Sequence, residues 1–224
     1  MSINIAIDGP AGAGKSTIAK KIAKELNIIY VDTGAMYRAM GIYFHRQGIR
    51  PEDEAAIAQT VDGAHVTIAY ENGQQQVYLN GENVTAYLRT EEAGHMASAT
   101  SVYGVVRRKL VQLQQQMAAE NDVIMDGRDI GTVVLPNADI KIFLTASSRV
   151  RAIRRYEELQ AKGVDCDLDE IEQDIIERDY RDMNRAESPL KQAEDAILVD
   201  TSDMTIDQVV ETVIDLYRAK TTCE

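Results

Sequence analysis

The 224-residue chain has little with which to build a disulfide framework, a metal cage or a membrane anchor. Cys166 and Cys223 are its only cysteines, stand far apart and flank no metal-ligand spacing, so the expectation is reduced thiols in a cytoplasmic protein. His45, His65 and His95 also stand singly, which leaves them surface or packing roles. No apolar run approaches the roughly 20 residues that cross a bilayer, and the N-terminus lacks a basic segment followed by an apolar core. Neither a leader nor an anchor is expected. Positive charge is scarce as well: 24 Lys and Arg against 36 Asp and Glu leave a net charge of −12. That balance argues against general affinity for nucleic acid or anionic membrane, which needs a cationic surplus. Any nucleotide the chain binds should be small and held by a local group of arginines.

What is present is an ordinary soluble composition, 45% hydrophobic and 27% charged, long enough for one α/β domain and cramped for two. The apolar run 3–7 leads through Asp8 into Gly9-Pro10-Ala11-Gly12-Ala13-Gly14-Lys15-Ser16-Thr17, which fits G-x-x-x-x-G-K-[ST]. Glycines at this spacing let backbone N–H groups turn inward on phosphate oxygens, and bulkier residues would block the approach. Ile18, Ile22 and Leu26 follow at helical spacing, so the loop opens onto a helix whose positive end faces the same anion. In this motif Lys15 reaches the β- and γ-phosphates of ATP and the Ser16 hydroxyl is a ligand for Mg²⁺.

Further along, 28–31 reads as a buried strand and 35–47 as a helix stopped by Gly48. The stretch 51–60 reads as a helix with Ile57 and Ala58 inward and Glu52, Asp53 and Glu54 in its first turn. From Val66 the period becomes two, and Asn72-Gly73 marks a hairpin turn, with a short third strand near Val84. An antiparallel piece within a β-α-β chain reads as an insertion over roughly 63–88. Helices follow from Thr90, and again around Val106, Leu110, Leu113 and Met117. Then come strands at 123–125 and 140–144, helices over 148–161 and 169–186, a last strand at 196–200, and a final helix opened by Thr205 and Gln208 that buries Ile206, Val210, Val213 and Tyr217. The expected fold class is α/β: a three-layer P-loop NTPase fold with a five-stranded parallel sheet and a small antiparallel insertion. Ligands of such sheets gather outside the carboxyl ends of the strands, at 9–17, 32–38, 126–129 and 145–151.

That edge carries Arg38, Arg128 and Asp129, and Arg178, Arg181, Asp182 and Arg185 recur at i, i+3, i+4 and i+7 of a helix. Such a stripe is either a solvated face laced with ion pairs or a seat for an anion. A one-sided row of arginines repels itself unless an anion lies against it, and Arg suits forked binding of phosphate. Asp126, ending a strand, either holds Mg²⁺ through water or serves a turn.

Residues 9–17, Asp32-Thr33-Gly34-Ala35-Met36-Tyr37-Arg38, Asp126-Gly127-Arg128-Asp129-Ile130-Gly131-Thr132 and Glu177-Arg178-Asp179-Tyr180-Arg181-Asp182-Met183-Asn184-Arg185 together resemble the bacterial cytidylate kinase family, along the whole chain. The resemblance implies transfer of the γ-phosphoryl group of ATP to CMP or dCMP, with Lys15, Arg128, Arg178 and Arg181 as the catalytic side chains. It implies that Thr33, Arg38 and Arg128 hold the acceptor phosphate, Thr33 standing where several members have Ser. Ser98, Arg107 and Asp129 would meet the cytosine edge, and Asp182 the sugar hydroxyls, with Arg178, Arg181 and Arg185 around sugar and phosphates. Ser98 and Arg107 rest on the resemblance alone; by periodicity they are plain helix positions. The family pattern also implies an acceptor-binding region over 33–100 and a lid over 154–168, whose Arg154 and Arg155 join the ATP site; the bland reading of that segment is a helix connection. The partners expected are small nucleotides, for a monomer of pyrimidine nucleotide metabolism. A kinase of another small acceptor, such as a different nucleoside monophosphate or shikimate, is the rival. A P-loop switch is a weaker one, because no Asn-Lys-x-Asp guanine motif occurs in the chain.

Overall fold

Five parallel strands carry the fold: β1 Asn4–Asp8, β2 Ile29–Asp32, β6 Val123–Gly127, β7 Ile140–Thr145 and β8 Ile197–Asp200, in the order β2-β6-β1-β7-β8. The computed structural model describes residues 3–71 and 73–221. The central strand β1 pairs with β6 (Ile7 opposite Asp126) and with β7 (Ile7 opposite Ile142), so Ile5, Ala6 and Ile7 are sealed on both faces. That explains the unbroken apolar run, since a strand covered on both sides gains nothing from alternation. Helix α1 (Lys15–Leu26) and helix α8 (Ile206–Thr221) cover one face, where Ile18, Ile22, Val209, Val213 and Ile214 meet Ile5, Ile7, Ile142 and Leu144. Thr205 and Gln208 form the reciprocal cap of α8, the Thr205 N–H donating to Oε1 of Gln208 at 2.9 Å and the Gln208 N–H to Oγ1 of Thr205 at 3.3 Å. Ile206 does not join the core: it is exposed, and Val209 and Ile214 take its place beside Val210 and Val213.

The chain forms two compact units. Residues up to Tyr30 and from Glu120 onward make one, and Val31–Ala119 the other. Within the second, helix α2 (Thr33–Arg46) packs on helix α4 (Glu91–Thr100) at Gly41, where a Cβ would stand 2.9 Å from Cβ of Met96. Asp32, Asp53 and Thr90 cap α2, α3 (Glu54–Thr60) and α4, each side chain accepting from the N–H three residues on. The α3 helix is shorter than its pattern suggests: Pro51 and Glu52 form a turn ahead of the Asp53 cap, and Ala58 is exposed while Ile57 is fully buried. The antiparallel piece is a separate sheet of β3 (Val66–Glu71), β4 (Gln74–Leu79) and β5 (Glu82–Asn83). Gly73 in its turn has the positive φ of 74° the hairpin requires; Asn72 lies outside the described residues. The side-chain carbonyl of Gln75 on β4 accepts the N–H of Asp32 at 2.8 Å, tying this sheet to the start of α2. Helix α5 (Gly104–Glu120) completes the unit.

In the first unit, helix α6 (Ser148–Ala161) has the bounds its pattern suggests, and helix α7 runs Leu168–Asn184. Its end falls two residues short of the sequence reading. Arg185 is already extended (φ −66°, ψ 145°), and its Nε donates to the carbonyl of Ser188 at 2.7 Å.

Candidate active site

Leu144 on β7 explains why position 9 is glycine. Its carbonyl oxygen would lie 1.9 Å from any Cβ there, and Gly9 has φ +148°. The loop therefore lies directly against the sheet, and its last residue, Gly14, caps the N-terminus of α1. Lys15, on the first turn of α1, is buried, and its Nζ donates to the carbonyls of Gly9 and Pro10 at 2.8 and 2.7 Å. Burial, with the Arg128 charge nearby, lowers its amine to about 7.

Beside it Ser16 Oγ donates to Oδ2 of Asp126 at 2.8 Å, and the Tyr30 hydroxyl donates to Oδ1 at 2.8 Å. A hydroxyl and a buried carboxylate held this close are hard oxygen donors of the kind Mg²⁺ takes, so the residues fit that ion. Among the described residues no group of three or more His, Cys, Asp or Glu side chains forms a metal cage.

The Arg128-Asp129 pair follows β6, and one carboxylate fixes the turn after it. Asp8, the last residue of β1, accepts the N–H groups of Ile130 and Gly131 at 2.7 Å each, at the start of a single π turn, Ile130–Val134. Burial raises the Asp8 carboxyl to about 6, against the pull of those two N–H groups. Nε of Arg128 donates to Oδ2 of Asp182 on α7 at 2.8 Å. Arg185 lies 3.8 Å from both Asp182 and Asp129. Burial pushes the Asp182 carboxyl up, yet the Arg128 guanidinium, with Arg185 and Arg178 behind it, brings it below the ordinary carboxylate range. The first unit thus gathers Arg128, Asp129, Arg178, Asp182 and Arg185 into one cluster whose Arg128 and Asp182 charges are felt at Lys15.

The helical stripe needs amendment in two respects. Arg181 faces solvent, and Arg185 reaches the cluster from beyond the helix end. Arg154 donates to the carbonyl of Thr201 at 2.7 Å, and Arg155 donates to Glu158 at 3.0 Å on the surface.

In the second unit Thr33 is buried at the start of α2, and Arg38, one turn on, has its guanidinium against Gly34. Arg107 on α5 is buried; its Nη1 donates to the carbonyl of Ser101 at 3.1 Å and its guanidinium lies over the Tyr37 ring at 5.4 Å. Ser98, on α4, is half-buried. These four share one unit and its α2, α4 and α5 helices. Three further side chains have no part in the sequence reading: Asp8, Tyr30 and Arg151. Position alone flags two of them, since Asp8 ends a strand at the carboxyl edge and Arg151 falls in the 145–151 segment.

A family model described as cytidylate kinase matches residues 5–219. The chain is 49% identical over 218 residues to the cytidylate kinase of Lactobacillus johnsonii, covering 97% of this chain and 95% of that one. It is 50% identical over 218 residues to the cytidylate kinase of Lactobacillus gasseri, with the same coverage. Among solved structures it is similar to a gluconokinase from Sinorhizobium meliloti at a TM-score of 0.50 and 14% identity, covering 99% of this chain and 95% of that chain. This likeness shows the fold alone.

Proposed function

The chain belongs to the cytidylate kinase family, and from that premise we infer which of its residues carry the reaction. The activity is ATP-dependent transfer of a phosphoryl group to CMP or dCMP, giving ADP and CDP or dCDP. The observation that carries it is the family match across almost the whole chain.

The acceptor is a phosphate oxygen, already nucleophilic, so no general base is needed and the work is positioning and charge neutralisation. In our proposal the N–H groups of Gly9, Ala11, Gly12, Ala13, Gly14, Lys15, Ser16 and Thr17 hold the ATP phosphates, Pro10, which has no N–H, stiffens the loop between them, and Arg154 and Arg155 join the donor side. The Lys15 ammonium, which now satisfies itself on two loop carbonyls, exchanges them for phosphate oxygens. Ser16 and, through water, Asp126 would hold Mg²⁺, which screens the β- and γ-oxygens when bound. Thr33, Arg38 and Arg128 bind the CMP phosphate. Ser98, Arg107 and Asp129 meet cytosine, where a carboxylate accepts from the N4 amino group that uracil lacks. Asp182 takes the sugar hydroxyls, with Arg185 beside it; Arg178 and Arg181 neutralise the group in flight. The Arg128–Asp182–Arg185–Asp129 cluster supports this reading, because its arginines are held in fixed directions by carboxylates before any anion arrives. The same proposal places the enzyme in the cytoplasm, which the free thiol of Cys166 supports, as a monomer of pyrimidine nucleotide metabolism.

A coupled assay with CMP, dCMP, UMP, AMP and dTMP as acceptors tests it. CMP or dCMP should be preferred; a tenfold preference for UMP or AMP overturns the acceptor assignment.

A further inference from the structure

Arg151 is the buried cation of α6, 5% exposed, and the chemistry above gives it no task. Its guanidinium donates in three directions. Nε donates to the carbonyl of Ala146 at the end of β7 (2.9 Å), Nη1 to the carbonyl of Ala11 in the phosphate loop (2.9 Å), and Nη2 to Oδ2 of Asp179 on α7 (2.6 Å). Its Cβ lies under Gly12, 3.4 Å from where a Cβ on that glycine would stand. One planar group therefore joins the sheet, the donor loop and the helix that carries Arg178 and Asp182.

Stability does not account for it. A buried ion pair gives back much of its Coulombic gain as desolvation, and apolar side chains of similar volume often hold such a site as well. This pair is also incompletely satisfied: Oδ1 of Asp179 is buried and accepts no hydrogen bond among the described residues. What a guanidinium supplies that an apolar side chain cannot is direction, because its donors are fixed in one plane. Asp179 and Asp182 are one turn apart on α7, so the helix is pinned at successive turns, by Arg151 from below the loop and by Arg128 from the segment after β6.

We propose that Arg151 is a positioning residue for phosphoryl transfer: through Ala11 and Asp179 it sets the register between the phosphate loop and the arginines of α7. The inference rests on reading that loop and that helix as parts of the transfer site. In-line transfer tolerates little misplacement, so a slackened link should lower turnover more than it lowers binding.

The test uses the full chain with Arg151→Lys, Asp179→Asn, the double variant, and Lys15→Ala as reference. Arg151→Lys keeps the charge and loses the fork. We expect kcat to fall about tenfold or more with KM for CMP within about twofold, in protein whose melting shows it folded. The double variant should lose no more than the worse single one, since the two groups act as a unit. Where Arg151→Lys fails to fold, Asp179→Asn, which keeps shape and one acceptor, decides the matter by the same split. A kcat within twofold of wild type in a folded variant overturns the proposal, as does a double variant whose losses multiply. Near-normal turnover by Lys15→Ala would instead sink the reading of the transfer site itself.

Discussion

Lys15 and Asp8 sit next to one another in the electrostatics of the loop and are shifted for the same reason, burial, in opposite directions. Bound phosphate favours the charged amine, so ATP binding at pH 8 should take up protons at Lys15, and affinity should decline as pH rises above 7. Calorimetry in buffers of different ionisation enthalpy measures this; Lys15→Met should lack the uptake and should not transfer phosphate. For Asp8 the sign is different. Its folded pKa lies above its unfolded one, so the native state binds the extra proton and stability falls as pH rises from about 4 to 6, then levels. The advantage of wild type over Asp8→Asn should therefore shrink by ~3 kcal/mol across that window in denaturant titrations, at 1.36 kcal/mol per unit. Asp129→Ala should cost about 1–3 kcal/mol of preference for cytosine over uracil, read as the ratio of kcat/KM for CMP and UMP. The placement of Lys15 and Ser16 at the start of α1 was legible in sequence because a short motif fixes it. The contacts of Asp8 and Arg151 were not, because their partners lie 122 and 140 residues away.

At the scale of elements, periodicity located strands and helices well wherever one face is buried, and it failed at ends. Arg185 continues the i, i+3, i+4, i+7 spacing, yet the chain leaves the helix at that residue to reach Ser188 and the carboxylates. Arg181 keeps the spacing and faces solvent. A stripe in sequence records helical phase; it does not record where the helix stops or which part is covered. The loop between β1 and α1 is constrained more tightly than its motif indicates, since Gly9 touches β7 as well as the ligand space. Gly9→Ala should destabilise the fold by about 1–3 kcal/mol, as overpacking does, and lower the melting temperature besides weakening ATP binding.

Taken whole, the molecule is strongly acidic, and two of the arginines proposed to bind anions lie against carboxylates, Arg128 on Asp182 and Arg185 near Asp129 and Asp182. Substrates should stabilise the fold by mass action, by about 2.7 kcal/mol at 100 times Kd, and so raise its melting temperature. Lys15→Ala should lose the shift with ATP and keep that with CMP, because the two nucleotides use different residues. Sequence by itself determined the α/β class, the phosphate loop and the reaction family, since these follow from local patterns: an apolar run without alternation, glycines at fixed spacing, arginines and carboxylates just after strands. Tertiary structure alone decided how the arginines are aimed. Asp8 reaching the turn after Asp129, Arg185 reaching Asp129, and Arg151 tying Ala11 to Asp179 are all contacts between segments far apart in the chain, and no local pattern encodes the direction of a side chain whose partner is set by the fold.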